Sequence, residues 1–312
     1  MAVKLAVVGF GHACRERSAS TLVSLAAEGA VELSAMVEAD AGRREQAMQA
    51  LGFKQAFASV GECIEQARPD AALVLTAATH HFEPTMQLLQ AGVATCVEKP
   101  ICYSVRQARE VCDAARDSGT ICMVMVNRCF MPVMVRAKEF LGDAPVEFVF
   151  AEKSKKIPTT YKALLDDGVH PWSALVHFAG LPTEVLSTAL DEGNSFAAMV
   201  KLPSGGTGVF LESCHPGGWT ERYEVHAGGK SVYIDDCVRL RLYEGGKEVI
   251  GDPLANSWWN TDPYGFGAEI REFVGCVQEG RRSEIADIGL CVAAQERLHE
   301  VLTAVGLELQ EG

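Results

Sequence analysis

The chain has 312 residues and a net charge of −13, with 48% hydrophobic and 22% charged side chains, a globular composition long enough for two domains. The negative balance excludes a nucleic-acid ligand, whose phosphates need a basic footprint, and an anionic membrane surface. No apolar run reaches the ~18 residues of a membrane span. The start, Met1 to Val8, enters a strand pattern without the basic lead or cleavage site of a signal peptide, so a cytoplasmic location is expected. Eleven cysteines form no Cys-x-x-Cys pair, and Cys96, Cys122 and Cys291 sit in apolar runs. They read as reduced thiols, with no disulfide and no structural metal.

In chain order, residues 3–8 form an apolar strand followed by Gly9-Phe10-Gly11, and 18–27 a helix. A second strand, 31–37, ends at Glu38. A helix over 40–51, a short strand at Phe57 and a helix over 60–67 follow. Strand 71–75 ends in Thr76, helix 83–91 is closed by Gly92, and the apolar run 93–97 runs into Glu98-Lys99-Pro100. Helix 104–117 and strand 121–126 complete this half. Strands alternating with helices at this pitch predict a doubly wound parallel sheet, because parallel neighbours need crossover connections. The pattern then changes. Helices are predicted over 132–141 and within 164–179, and short alternating segments between 184 and 250 are joined by Ser204-Gly205, Gly228-Gly229 and Gly245-Gly246. These predict an antiparallel meander with helices on one face. Two helices, 267–279 and 287–305, close the chain. The division is residues 1–126, a nucleotide-binding domain, and 127–312, an α+β domain whose last helices pack back toward the first.

Gly9-Phe10-Gly11 opens a dinucleotide fingerprint: the first glycine makes the turn and the second lets the backbone approach a pyrophosphate. The third glycine of the usual spacing falls at Cys14, and Glu38 lies a few positions late. A longer phosphate loop through Arg15-Glu16-Arg17-Ser18, with Ser18 or Ser20 as helix cap, accounts for both. Glu38 can accept hydrogen bonds from the adenosine ribose and repel a 2′-phosphate, which favours NAD over NADP, although Arg43 and Arg44 follow closely. Thr76-Ala77-Ala78-Thr79-His80-His81 leaves the fourth strand at the same sheet edge. Proline cannot continue a central strand, so Pro100 turns the chain and sets Lys99 down at that edge too. Asp166 and His170, four apart, share a helix face, where a carboxylate can orient an imidazole and stabilise its charged form. Taken singly, each has a plainer reading: a surface ion pair, a helix cap, a packed histidine.

Together, the glycine loop, Glu38, Thr76 with His81, Glu98-Lys99-Pro100 and Asp166-x-Gly168-x-His170 resemble the Gfo/Idh/MocA family, named for glucose–fructose oxidoreductase, inositol dehydrogenase and a rhizopine-catabolism protein. The resemblance spans almost the whole chain. It implies an N-terminal Rossmann domain followed by an α+β domain with a large, mostly antiparallel open sheet that commonly mediates a homodimer or homotetramer. It also implies NAD, with NADP as the variant, held by Gly9, Phe10, Gly11, His12, Glu38, Thr76, Ala77, His81, Glu98, Lys99, Pro100 and Asn127. The catalytic group would be Lys99, Asp166 and His170, and the Lys99–Pro100 peptide would be cis. Apart from the resemblance, Tyr161, just before the Asp166 helix, suits packing at the domain junction more than lining the site, and Trp172 is a candidate substrate contact beside the catalytic residues. Two positions depart from the pattern. Ser173 stands where many members have a second acid, and Arg128-Cys129-Phe130 where many have Arg-Arg-Phe. A carboxylate and a guanidinium that often bind polar ligands are thus missing, which loosens any tie to inositol or a particular sugar.

The function expected is hydride transfer between nicotinamide and a secondary alcohol or ketone of a sugar, polyol or related small molecule. An NAD-retaining glycosidase and a ligand-sensing regulator without turnover are the alternatives on the same fold. Trp258-Trp259 suggests a stacking surface or lid, or an anchored loop.

Overall fold

The computed structural model describes residues 2–252 and 262–309; the Trp258-Trp259 pair lies outside the described residues. The chain divides into two compact units. One comprises residues 1–125 and 266–292, the other 126–265 and 293–312.

The first unit is built on six parallel strands: β1 (Val3–Val8), β2 (Val31–Val37), β3 (Gln55–Phe57), β4 (Ala71–Val74), β5 (Ala94–Glu98) and β6 (Cys122–Met125). Their order, β3-β2-β1-β4-β5-β6, is that of a Rossmann sheet, with a topological switch between β1 and β4. The strands are buried along nearly their whole length, as a parallel sheet covered on both faces requires. The helices are α1 (Ala19–Ala27), α2 (Ala41–Leu51), α3 (Val60–Ala67), α4 (Phe82–Gln90) and α5 (Val105–Asp117). Asp40 caps α2 by accepting from Arg43 N at 2.7 Å, and Ser59 with Glu62 forms a reciprocal box on α3.

The expected longer phosphate loop is corrected. Helical winding starts directly after the glycines, with Arg15 N donating to Gly11 O at 3.1 Å. Residues Ala13–Ser18 then form a wide π turn that runs into α1. The surplus residues are absorbed as extra girth in the helix and leave the loop short. Ser18 caps nothing; its hydroxyl donates to Ala13 O at 3.3 Å.

The second unit carries α6 (Pro132–Leu141), β7 (Val146–Ser154) and α7 (Tyr161–Ala179). Seven more strands follow, β8 (Glu184–Asp191), β9 (Ser195–Lys201), β10 (Thr207–Ser213), β11 (Thr220–Ala227), β12 (Lys230–Asp235), β13 (Arg239–Glu244) and β14 (Lys247–Asp252). The helices α8 (Phe266–Glu279) and α9 (Ile288–Thr303) end the chain; α8 belongs to the first unit. The eight-stranded sheet has the order β14-β13-β12-β11-β7-β10-β9-β8. It is not a plain meander. β7 is inserted at the centre, parallel to β10 and antiparallel to β11, so the strand that precedes α7 holds the two hairpin groups together. Phe196, Ala198 and Val200 on β9 and Phe210 on β10 are buried with α7, while Met199 faces the other, more open side.

Gly168 owes its place to this packing. Its φ is ordinary, but a Cβ there would lie 3.0 Å from Phe210 Cζ. Glycine lets α7 settle on β10.

Candidate active site

At the carboxyl edge of the Rossmann sheet, Gly9 has φ +97°, and a Cβ on it would lie 3.0 Å from the backbone nitrogen of Thr76. Both demands select glycine. The first loop is then fastened by Glu38. Its Oε2 accepts from Phe10 N at 3.0 Å, and its Oε1 from Asp40 N at 3.1 Å and from Arg43 Nη2 at 2.8 Å. Burial would raise this carboxyl, yet the backbone donors and Arg43 outweigh it and hold it below the usual range. Arg44 donates to the Glu38 carbonyl at 2.6 Å. Glu38 therefore shapes the glycine loop besides standing where a ribose acid is expected. Cys14, in the place of the third glycine, is wholly buried, and that burial pushes its thiol up to about 12; it is a packing group.

The turn after β5 is the second component. The Lys99–Pro100 peptide is cis. Glu98 accepts from Lys99 N at 3.0 Å and pairs with Arg17 at 3.6 Å. The π turn thus supplies the cation that meets the acid of Glu98-Lys99-Pro100. His81 is buried, with Nδ1 2.8 Å from Pro100 O and Nε2 3.1 Å from Thr76 O. Carbonyls only accept, so a neutral imidazole donates to one at a time and the imidazolium to both. Either way, His81 ties the loop after β4 to the turn carrying Lys99. Thr76 Oγ1 donates to His80 O at 3.0 Å. His12 and Ala77 are exposed and Lys99 is half-buried.

In the second unit, α7 carries Asp166 and His170 one turn apart on the same face; Asp166 is half-buried and His170 buried. Pro171 leaves the carbonyl four residues back without its helical donor. Ser173 Oγ donates to His170 O at 2.9 Å, and Cys129 Sγ lies 3.5 Å from Ser173 O. The two positions that depart from the family pattern are therefore neighbours. Asn127 is buried, its Nδ2 donating to Tyr264 O at 2.8 Å. Tyr161 places its hydroxyl 2.8 Å from His299 Nδ1. Trp172 is 1% exposed, donates from Nε1 to Ala294 O at 2.8 Å and meets Phe210 edge-on, which sets its ring in the core of this unit.

Beneath the same stretch of α7 lies a polar row that the sequence reading passed over. Lys153 Nζ donates to Asp167 Oδ1 at 2.8 Å and Lys155 to the same oxygen at 3.1 Å. Arg128 makes a forked pair with Glu221, whose Oε2 also lies 2.7 Å from Cys237 Sγ. Burial would raise Asp167, but the two lysines outweigh it and keep the carboxyl low. Glu152-Lys153-Ser154-Lys155 shows no period-two apolar pattern, so nothing local marks these residues as interior. Among the described residues no group of three or more His, Cys, Asp or Glu side chains could hold a metal ion, and no described helix is long and apolar enough to cross a membrane.

The residues at the Rossmann edge fit a dinucleotide: a glycine turn opening a helix, whose first amides have no carbonyl partner within it, suits a pyrophosphate, and Glu38 stands at the ribose position. Comparison with known proteins agrees. The Gfo/Idh/MocA model, an oxidoreductase family with an NAD-binding Rossmann fold, matches residues 3–126. The chain is 28% identical over 141 residues to scyllo-inositol 2-dehydrogenase (NAD(+)) of Bacillus subtilis, covering 45% of this chain and 39% of that one. It is 27% identical over 179 residues to D-glucoside 3-dehydrogenase of Escherichia coli, covering 56% and 47%. It thus spans less than half the length of both. The crystal structure of a dehydrogenase from Chromobacterium violaceum superposes with a TM-score of 0.86 over 98% of this chain and 96% of that chain at 18% identity, a likeness of fold. With their Rossmann order and glycine turn, residues 3–126 match the NAD-binding Rossmann fold of the Gfo/Idh/MocA oxidoreductase family.

Proposed function

We propose that the protein transfers a hydride between nicotinamide and a secondary alcohol or ketone of a sugar, polyol or related small molecule. The observation that carries this reading is the Glu98-Lys99-Pro100 turn, leaving β5 beside the Thr76–His81 loop at the edge where such sheets bind their ligands. Support for the substrate class comes from the two relatives above, one named as a dehydrogenase of scyllo-inositol and the other of a D-glucoside. Nicotinamide, when bound, accepts or supplies the hydride. The chain's own residues handle position and protons. His170 takes the hydroxyl proton, Asp166 orients its ring and offsets the charge it gains, and Lys99 donates a hydrogen bond to the reacting oxygen as negative charge develops there. Glu38 favours NAD, and Arg43, already drawn onto Glu38, is the side chain that a 2′-phosphate would have to recruit. Tyr161 and Trp172, whose polar atoms are engaged, serve packing. The open face of the second sheet, with Met199 exposed, is the surface we assign to self-association, to be checked by light scattering.

Lys99→Met and His170→Ala should each lower turnover by roughly 10²–10⁴-fold while NADH still binds, read by steady-state assay on a polyol and sugar panel and by nucleotide fluorescence titration. Near-normal turnover in either variant would remove the role assignment. Released aglycone without NADH accumulation would point to glycoside cleavage, and cofactor binding with no turnover on any substrate to a sensor.

A further inference from the structure

The polar row under α7 contains one acid that no ion pair claims. Glu212, on β10, is fully buried, and neither of its carboxyl oxygens has a hydrogen-bond partner. Strand register fixes its neighbours. Glu212 lies opposite Lys153 of β7, which lies opposite Glu221 of β11. From above, α7 comes so close that a Cβ on Gly168 would sit 3.4 Å from Glu212 Oε1. The nearby cations are already committed, Lys153 and Lys155 to Asp167 Oδ1 and Arg128 to Glu221. The other oxygen of Asp167, one residue before Gly168, is also buried and has no donor.

A single proton can join two such buried carboxyls through one open oxygen of each, because a carboxylic O–H donates where a carboxylate only accepts. We propose that Glu212 is a positioning residue for the Asp166–His170 turn: held as the neutral acid beneath α7, it donates its O–H to Oδ2 of Asp167 and fixes that turn of the helix on the sheet. The proposal rests on the reading of Asp166 and His170 as the acid–base pair. Its electrostatic surroundings agree. The charged groups facing Glu212 are Asp167 from α7, Lys153 and Lys155 from β7 and the residue after it, and Glu221 from β11, with the thiol of Cys214 just beyond its own strand. Burial first, then Asp167 and Glu221, push the Glu212 carboxyl well above the usual range, against the pull of the two lysines. A carboxyl raised in the folded state contributes stability that is fully present below its unfolded value of about 4.3 and is lost as pH rises through the folded one.

The test compares wild type, Glu212→Gln and Glu212→Ala. The glutamine keeps a donor toward Asp167 but cannot ionise. Infrared difference spectra at neutral pH should show a protonated-carboxyl C=O band in the wild type that Glu212→Gln lacks. Thermal unfolding of these two should coincide near pH 5 and separate by roughly 3–6 °C in favour of Glu212→Gln by pH 9. On any substrate that the wild type turns over, Glu212→Ala should lower kcat about tenfold with little change in KM, and Glu212→Gln should restore it to within about twofold. Identical infrared spectra with parallel unfolding curves would overturn the proposal, as would a wild-type kcat in Glu212→Ala. A wild type that turns over nothing would overturn the oxidoreductase reading instead, and the infrared and unfolding curves would still decide this one.

Discussion

The two units hold their polar groups by different means. At the Rossmann edge the main chain does most of the holding. Glu38 is gripped by the amides of Phe10 and Asp40, and His81 by the carbonyls of Thr76 and Pro100. Under α7 the groups are side chains gripping side chains, Arg128 on Glu221 and Lys153 on Asp167, in a row crossing three strands. Main-chain partners are set by the turn itself and tolerate a change in one neighbour. A buried side-chain pair is all or nothing, because the partner left behind keeps its charge and loses its solvation.

The largest expected effect breaks the side-chain half. Arg128→Met leaves Glu221 buried beside Lys153 and Cys237 and should cost about 3–5 kcal/mol in urea unfolding, whereas the double variant Arg128→Met/Glu221→Leu should recover most of that loss. A single variant as stable as wild type would show that the row does not act as paired charge.

A smaller effect is expected in the main-chain half. Glu38→Gln keeps the shape but weakens three bonds that use the carboxylate charge, and should cost about 1–3 kcal/mol and loosen NADH binding by fluorescence titration. The sign of its pH dependence follows from the lowered carboxyl. The stability Glu38 contributes is present above the ordinary carboxylate value and lost as pH falls through the folded one, so wild type and variant should converge in acid. Divergence on acidification would contradict the hydrogen-bonded arrangement.

The smallest effect sharpens the contrast with a purely local device. Ser59→Ala removes one side of the box on α3 and should cost about 1 kcal/mol, measurable as a modest fall in unfolding midpoint with NADH affinity unchanged. A change in cofactor affinity would mean that α3 is coupled to the site.

Where the main chain decides, the amino-acid sequence was legible. Apolar runs ending in Gly9, Glu38, Thr76 and Pro100 announced four strands and their shared edge, since a strand buried on both faces must be apolar throughout and a proline or glycine must end it. Asp166 and His170 could be placed on one helix face from spacing alone. The π turn was not legible, because Ala13–Ser18 suits a loop as well as a widened helix and only the packing around Cys14 and Ser18 selects between them. Nor was β7, whose second half reads as a charged surface segment. Its Lys153 is interior only because β10 and β11, distant in sequence, pair with it on either side and α7 lies across it. Local pattern therefore determined the strands of the Rossmann sheet, the turns that end them and the cofactor edge, since each depends on residues a few positions apart. Tertiary structure alone decided which charges are buried, which acids share a neighbour, and that Glu212 lies beneath the Asp166–His170 turn, because those facts are properties of register between segments that the chain brings together only when it folds.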